Sequence, residues 1–380
     1  MLLLTLLILG TLWLAWSNGA NDTFKGVATL YGSRTTDYRR ALGWATASTV
    51  AGSLVSVLLA NGLVKTFSGH GVISSAALDD AVLAAVGMGA AATVLLATVL
   101  GMPTSTTHAM TGALVGAALV GEPTAIVPGV LMTKFAQPLL LSPLLGIGLT
   151  AILYVALRRL RRWSGITSES CVCVVEAQPA LAAVSGTSCA LSFDPSAHSL
   201  ELRSGTVREC VERYRGRLIG ADAQSAVDAM HYLSAGAVCF ARAVNDTPKI
   251  AAILLAAGAA GSLDGGPVVL ALVTVAVALG GIVQSRKVAQ TMSCRITSLN
   301  TGQGLTANLV TALLVLGASR LGMPVSTTHV SCGAIFGISA VNGRRDWRTI
   351  AQILMAWLTT LPLGLALGAG LYWILKTTGV

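Results

Sequence analysis

Apolar windows follow one another through almost the whole chain: Leu2 to Leu30, Leu42 to Val64, Ala81 to Leu100, Ser105 to Val120, Ala125 to Leu157, Ala235 to Ala260, Val268 to Val283, Leu305 to Ala318, Ser326 to Val341 and Ile350 to Leu375. A hydrocarbon core about 30 Å thick needs about 20 apolar residues per helical crossing. Several windows reach that length, and the shortest read as re-entrant segments. Charged residues make up only 11% of the chain, against about 25% in soluble domains. The sequence therefore predicts an all-α polytopic membrane protein embedded in the lipid bilayer.

The net charge of +9 does not point to nucleic acid, because the basic residues sit in short loops between apolar windows, the pattern of cytoplasmic retention. Loops holding Arg34, Arg39 and Arg40, then Arg158 to Arg217, then Arg286 and Lys287, then Arg344, Arg345 and Arg348 alternate with loops holding Asp79 and Asp80, Glu122 and Asp264. This alternation places the basic loops inside and both termini outside, in the plasma (inner) membrane. Lys65 and Arg320 run against it. Seven cysteines without a framework spacing imply neither a disulfide scaffold nor a bound metal, and no cofactor is expected.

Two landmarks recur. Asn21-Asp22-Thr23-Phe24-Lys25 returns as Asn245-Asp246-Thr247-Pro248-Lys249, and Gly101-Met102-Pro103-Thr104-Ser105-Thr106-Thr107-His108 returns as Gly322-Met323-Pro324-Val325-Ser326-Thr327-Thr328-His329. Pro143 and Pro362 extend the correspondence in the same order. The chain reads as a first membrane repeat over 1–157, a hydrophilic cytosolic insert over 158–228 and a second repeat over 229–380. The first repeat starts outside and ends inside, so it crosses an odd number of times and the second is inverted. Inverted repeats with binding groups on broken helices are a secondary-transporter design. In the insert, Cys171 to Glu176 and Ser199 to Arg203 read as short strands, and Arg203 to Arg217 as a charged helical run.

A carboxylate and an ammonium inside an apolar segment cost roughly 2.5 to 3.5 kcal/mol each on insertion scales, so they persist where a pathway needs them. Each pentad is expected to interrupt its helix: Pro248 removes a backbone donor, while Gly19 and Gly26 give the first copy room to bend. The Ser-Thr-Thr-His rows follow a helix-breaking Gly-x-Pro, so their hydroxyls suit the first turn of a new helix, where they cap the backbone or hold an oxyanion. His108 and His329 are candidate proton relays or hydrogen-bond partners.

On these motifs the chain resembles the inorganic phosphate transporter (PiT) family, whose duplicated Gly-Ala-Asn-Asp signature is matched by Gly19-Ala20-Asn21-Asp22 and whose Pro-x-Ser-Thr-Thr-His segments are matched twice. The resemblance implies re-entrant hairpins, a homodimer, and phosphate held by Asn21, Asp22, Ser105, Thr106, Thr107, Asn245, Asp246, Ser326, Thr327 and Thr328, with Asp22 and Asp246 as cation sites. Some members carry sulfate. The family's usual Asn-Asp-Val-Ala-Asn places a second asparagine, associated with the coupling cation of sodium-dependent members, where this chain has Lys25 and Lys249. The second signature here reads Ala243-Val244-Asn245-Asp246 and is preceded by Arg242.

Lys25, Lys249 and Arg242 against Asp22 and Asp246 leave one positive charge. A monoanionic phosphate would then be balanced without an added cation, whereas an uncompensated buried charge is costly. The expectation is a phosphate symporter or permease, proton-coupled or weakly sodium-dependent, with sulfate as the alternative substrate. An intramembrane enzyme would need an asymmetric nucleophile and base, and the polar groups here are duplicated. A channel differs from a transporter in lacking counterflow.

Overall fold

The computed structural model describes residues 1–59, 63, 64, 73, 78–167, 170–176, 200–206, 220–257 and 266–379. Lys65, Asp264 and the charged run beyond Thr206 lie outside them. Each apolar window holds a helix: α1 (Leu2–Asp22) with its short continuation α2 (Ala28–Gly32), α3 (Tyr38–Leu59), α4 (Asp80–Val99), α5 (Thr106–Gly121), α6 (Gln137–Trp163), α7 (Ala223–Ala256), α8 (Gly266–Gln284), the short α9 (Arg286–Gln290), α10 (Thr301–Arg320), α11 (Thr327–Asn342) and α12 (Trp347–Thr377). Among the described residues, six helical segments are long and apolar enough to cross a membrane. Helices α5 and α11 have 16 residues each. At about 1.5 Å per residue they fall short of a core of about 30 Å.

Helix ends follow their sequence signals. Asp79 caps α4 by accepting from the Val82 N–H at 2.8 Å, and Asn300 with Gln303 forms a reciprocal capping box on α10. Gly101 and Gly322, at matched positions, take φ of 73° and 66°. That left-handed turn closes α4 and α10 and suits glycine, and the proline two residues on prevents the helix from resuming at once.

The two pentads differ in backbone. In the first, α1 ends at Asp22 and a 3₁₀ turn, Thr23–Gly26, leads into α2. In the second, α7 runs unbroken through Pro248, against the expected interruption. Proline in a helix interior loses one N–H and crowds the carbonyl four residues back. Here Val244, Ile250 and Ala251 around it are fully buried, and that packing keeps the helix continuous past Pro248, as neighbouring helices can in membrane proteins.

Helices of one repeat pack closely on helices of the other. A side chain at Gly19 would lie 1.9 Å from the Val277 carbonyl on α8, and one at Gly280 on α8 would lie 2.0 Å from the Trp16 carbonyl on α1. Likewise Gly116 of α5 abuts Leu365 of α12, and Gly337 of α11 abuts Ile147 of α6. Small residues let backbones approach where lipid offers no hydrophobic driving force between helices. The last two contacts are reciprocal, since Gly116 and Gly337 stand at matched positions of the two repeats.

Residues 1–155 and 231–380 form one compact unit, and 156–230 another. The second unit carries a sheet of order β2-β1-β3, from β1 (Ser170–Glu176), β2 (Leu200–Thr206) and β3 (Gly220–Asp222), all antiparallel. The two strands read from sequence are present. Arg203 to Thr206, expected to begin a helix, instead continues β2, paired from Cys173↔Arg203 to Ser170↔Thr206.

Candidate functional site

The site forms where the pentads of α1 and α7 meet the first turns of α5 and α11. Ser105 and Ser326 are the N-caps of those helices, accepting from the His108 and His329 N–H groups, each at 3.2 Å. Their oxygens are thus engaged in capping. Thr106, Thr107, Thr327 and Thr328 occupy the first turns, where free N–H groups and the positive dipole end favour an anion.

The asparagines act as clamps. Asn21 Nδ2 donates to Thr98 Oγ1 at 2.9 Å and to the Met102 carbonyl at 3.1 Å, while its Oδ1 accepts from the Thr104 N–H at 3.0 Å. Asn245 repeats the pattern, donating to the Val325 carbonyl at 3.2 Å and accepting from Ser319 at 3.2 Å. Each asparagine therefore fixes the Gly-x-Pro loop of its own repeat.

The lysines join the halves. Lys25 Nζ donates to Asp22 Oδ1, to the Thr104 carbonyl at 2.7 Å and to Thr328 Oγ1 of the other repeat. Lys249 Nζ donates to Asp246 Oδ1 at 3.4 Å, to the Val325 carbonyl at 3.0 Å and to Thr107 Oγ1 of the other repeat at 3.0 Å. Thr328 in turn donates to the Thr104 carbonyl, and Thr107 to the Val325 carbonyl at 3.4 Å. The ammonium groups thus serve two roles at once: they pair with the aspartates and stand among the hydroxyl rows. Each carboxylate named as a cation site carries a lysine ammonium.

The matched positions Asn18 and Arg242 complete the centre. Asn18 Nδ2 donates to Asp22 Oδ2 at 3.2 Å and to Thr106 Oγ1 at 2.9 Å. Arg242 approaches Asp246 Oδ2 at 4.0 Å through Nη1 and donates to Thr49 Oγ1 at 2.9 Å through Nη2. Its Nε–H is buried with no hydrogen-bond partner among the described residues, a costly state unless a further acceptor enters. Asp246 Oδ2 is held only loosely, with Thr327 Oγ1 donating at 3.5 Å.

The two histidines meet, their ring centroids 4.6 Å apart. His329 donates through Nδ1 to the Leu139 carbonyl at 3.3 Å and lies 4.0 Å from the Trp357 ring. Among the described residues, His108 Nδ1 and His329 Nε2 have no hydrogen-bond partner. All the candidate residues therefore gather in one buried region, with the histidines on its flank. Sequence reasoning missed Asn18, Thr49, Thr98, Thr104 and Ser319. The repeat offset could have found three of them, since Asn18 matches Arg242 and Thr98 matches Ser319.

A polytopic helical protein whose buried, charged centre is assembled from matched halves is a membrane transporter in design. The model of the phosphate transporter family matches residues 18–368. The Arabidopsis thaliana protein named inorganic phosphate transporter 2-1, chloroplastic, is 26% identical over 95% of this chain and 70% of its own length. Escherichia coli low-affinity inorganic phosphate transporter PitB is 39% identical over 28% of this chain and 22% of its own. A solved structure titled as the sodium-dependent phosphate transporter has the same fold, with a TM-score of 0.74, 20% identity, and coverage of 99% of this chain and 100% of its own. The chain belongs to the phosphate transporter family, and it is a transporter rather than an enzyme.

Proposed function

We propose that the protein carries inorganic phosphate across the plasma membrane by alternating access of two inverted repeats, with weak or absent sodium dependence. The observation that carries this reading is the charge inventory of the buried centre. Three fixed cations, Lys25, Lys249 and Arg242, face two carboxylates, and all five side chains are at most 5% exposed. A buried excess of one positive charge favours a monoanion, because an unpaired buried charge is expensive. The lysines supply at Asp22 and Asp246 the charge that a coupling cation would otherwise bring.

The threonine rows and first-turn N–H groups would hold the anion's oxygens. A protonated oxyanion also needs an acceptor, and the loosely held Asp246 Oδ2 offers one. Sulfate carries no such proton at neutral pH, so this acceptor favours phosphate over the alternative substrate. The reciprocal packing between repeats supports rocking of one half against the other. In this reading Asn21 and Asn245 fix the loops, Ser105 and Ser326 cap the helices, and His108 and His329 pass protons at the edge of the site. The 158–228 insert is cytoplasmic, both termini are outside, and the working unit is a homodimer.

Uptake of labelled phosphate into proteoliposomes, challenged with unlabelled phosphate or sulfate, tests the reading. Competition by phosphate well below the sulfate concentration needed is expected. Equal or better competition by sulfate would reassign the substrate.

A further inference from the structure

Away from the buried centre, between the start of α3 and α9, the surface opens into a depression of about 750 Å³ lined by Tyr31, Tyr38, Arg39, Arg40, Arg286 and Gln290, with Asp37 beside Arg40. The only ion pair there among the described residues is Arg40 to Asp37 at 3.4 Å, both exposed. Arg39 and Arg286 have no ion-pair or hydrogen-bond partner among the described residues. Three guanidinium groups and one carboxylate therefore share the depression. Arg39 and Arg40 also lie in the first turn of α3, where the one carboxylate is that of Asp37, which accepts from the Arg40 N–H at 2.9 Å. Cations at that end of a helix oppose its dipole, and a bound anion would relieve both repulsions.

The floor of the depression connects to the transport site. Tyr38 stacks on Phe24 with centroids 4.9 Å apart, and Tyr31 meets Phe24 edge-on at 5.8 Å. Phe24 is fully buried and precedes Lys25 in the first pentad. Tyr38 Oη is also hydrogen-bonded to Ser285 Oγ at 3.1 Å, just before α9. Whatever settles on the arginines presses on rings that pack against the broken segment.

We propose that this depression is a second anion site, for a phosphate monoester group, separate from the buried centre and coupled to it through Tyr31, Tyr38 and Phe24. Planar guanidinium groups match phosphate oxygens with paired N–H donors, and the surplus charge suits a dianionic monoester better than a carboxylate. The depression has room for a substituent beyond the phosphate itself. The same chemistry is presented by a soluble phosphate ester and by the monoester headgroup of phosphatidic acid. Binding here does not rest on the proposed function. The coupling does.

The test uses labelled sn-glycerol 3-phosphate and full-length protein, in delipidated detergent and in nanodiscs. Replacing Arg39→Gln together with Arg286→Gln is expected to weaken glycerol phosphate binding about tenfold, while inorganic phosphate binding at the buried site is unchanged. Asp246→Asn should do the reverse, so failure of one site is separable from failure of the other. If the native occupant is a lipid, nanodiscs containing phosphatidic acid will suppress glycerol phosphate binding to the unsubstituted protein, and neutral phosphatidylcholine nanodiscs will not. If it is soluble, binding will be equal in both. Equal glycerol phosphate binding by the unsubstituted and doubly substituted proteins, or no binding in detergent and in neutral nanodiscs, overturns the site. Glycerol phosphate that binds but leaves the phosphate uptake rate unaltered overturns the coupling.

Discussion

Asn18 and Arg242, 224 residues apart and at the same position of the two repeats, touch: Arg242 Nη1 donates to Asn18 Oδ1 at 3.3 Å. Around them the aspartates, the lysines and the threonines of the two Ser-Thr-Thr-His rows correspond one for one across the halves. At this position one half offers a neutral amide and the other a guanidinium. The surplus charge of the centre therefore arises at a single position.

Arg242→Asn removes that surplus. Phosphate uptake by this variant is expected to fall at least tenfold, about 1.4 kcal/mol or more in the transport step. Combining it with Asn18→Arg returns the charge to the matching position a few ångströms away and should recover part of the uptake. Initial rates in proteoliposomes, normalised to inserted protein, distinguish the three forms. Full activity in Arg242→Asn alone would show that the surplus charge is not used.

Asp246→Asn should abolish uptake without loss of protein from the membrane. Breaking a buried ion pair by removing one member costs about 3–5 kcal/mol, so Asp246→Asn with Lys249→Met serves as the stability control. That double variant should regain thermal stability and remain inactive. Normal transport by Asp246→Asn would remove the carboxylate from the mechanism.

Gly19→Ala places a methyl group on the Val277 carbonyl, forcing α1 and α8 apart. Overpacking of this kind costs about 1–3 kcal/mol. Gly148, where a methyl group would meet nothing within 4 Å, is the comparison: Gly148→Ala should leave the thermal midpoint unchanged or slightly raised, while Gly19→Ala lowers it.

A polar ring that joins the two halves has no repeat-related counterpart. His231 Nε2 is hydrogen-bonded to Thr29 Oγ1 at 3.0 Å, Thr29 donates to Asn308 Oδ1 at 3.1 Å, Asn308 donates to Ser234 Oγ at 3.4 Å, and Ser234 donates back to the His231 carbonyl at 2.9 Å. The repeat-related positions are Ile253, Gly87, Gly10 and Leu7, which cannot form such a ring through their side chains. Thr29→Val breaks the ring and leaves buried groups unpaired, at a cost of about 1–3 kcal/mol. Ile253→Val, the matching position, should cost about 0.5–1.5 kcal/mol. Thermal melts of the two variants give the comparison.

Asp346 caps α12, accepting from the side chain and N–H of Thr349, and these bonds hold its carboxyl below the ordinary value of 3.8. A depressed carboxylate contributes stability above its unfolded pKa and loses it as pH falls through the lower folded value. Asp346→Asn should therefore melt earlier at neutral pH, and the gap should narrow as pH drops below about 4. A gap that is constant with pH would assign the effect to packing alone.

The helices were legible because membrane burial writes itself as long apolar windows, and the matched pairs Asp22 with Asp246 and Lys25 with Lys249 were legible because each motif occurs twice. Two things were not. Local rules give Pro248 a break, yet α7 continues because packing around Val244 and Ile250 outweighs one lost hydrogen bond. Asn18 lies outside the pentad, and its role appears only when α1, α5 and α7 converge. Ser105 and Ser326 were open between capping and anion contact, and the cap geometry engages both oxygens.

The central claim is that Lys25, Lys249 and Arg242 provide inside the protein the positive charge that phosphate needs. Counterflow of labelled phosphate in proteoliposomes with all sodium replaced by choline tests it most directly. Exchange continuing at a rate close to that in sodium is the expected result. Exchange that stops without sodium and returns in proportion to added sodium would contradict the account.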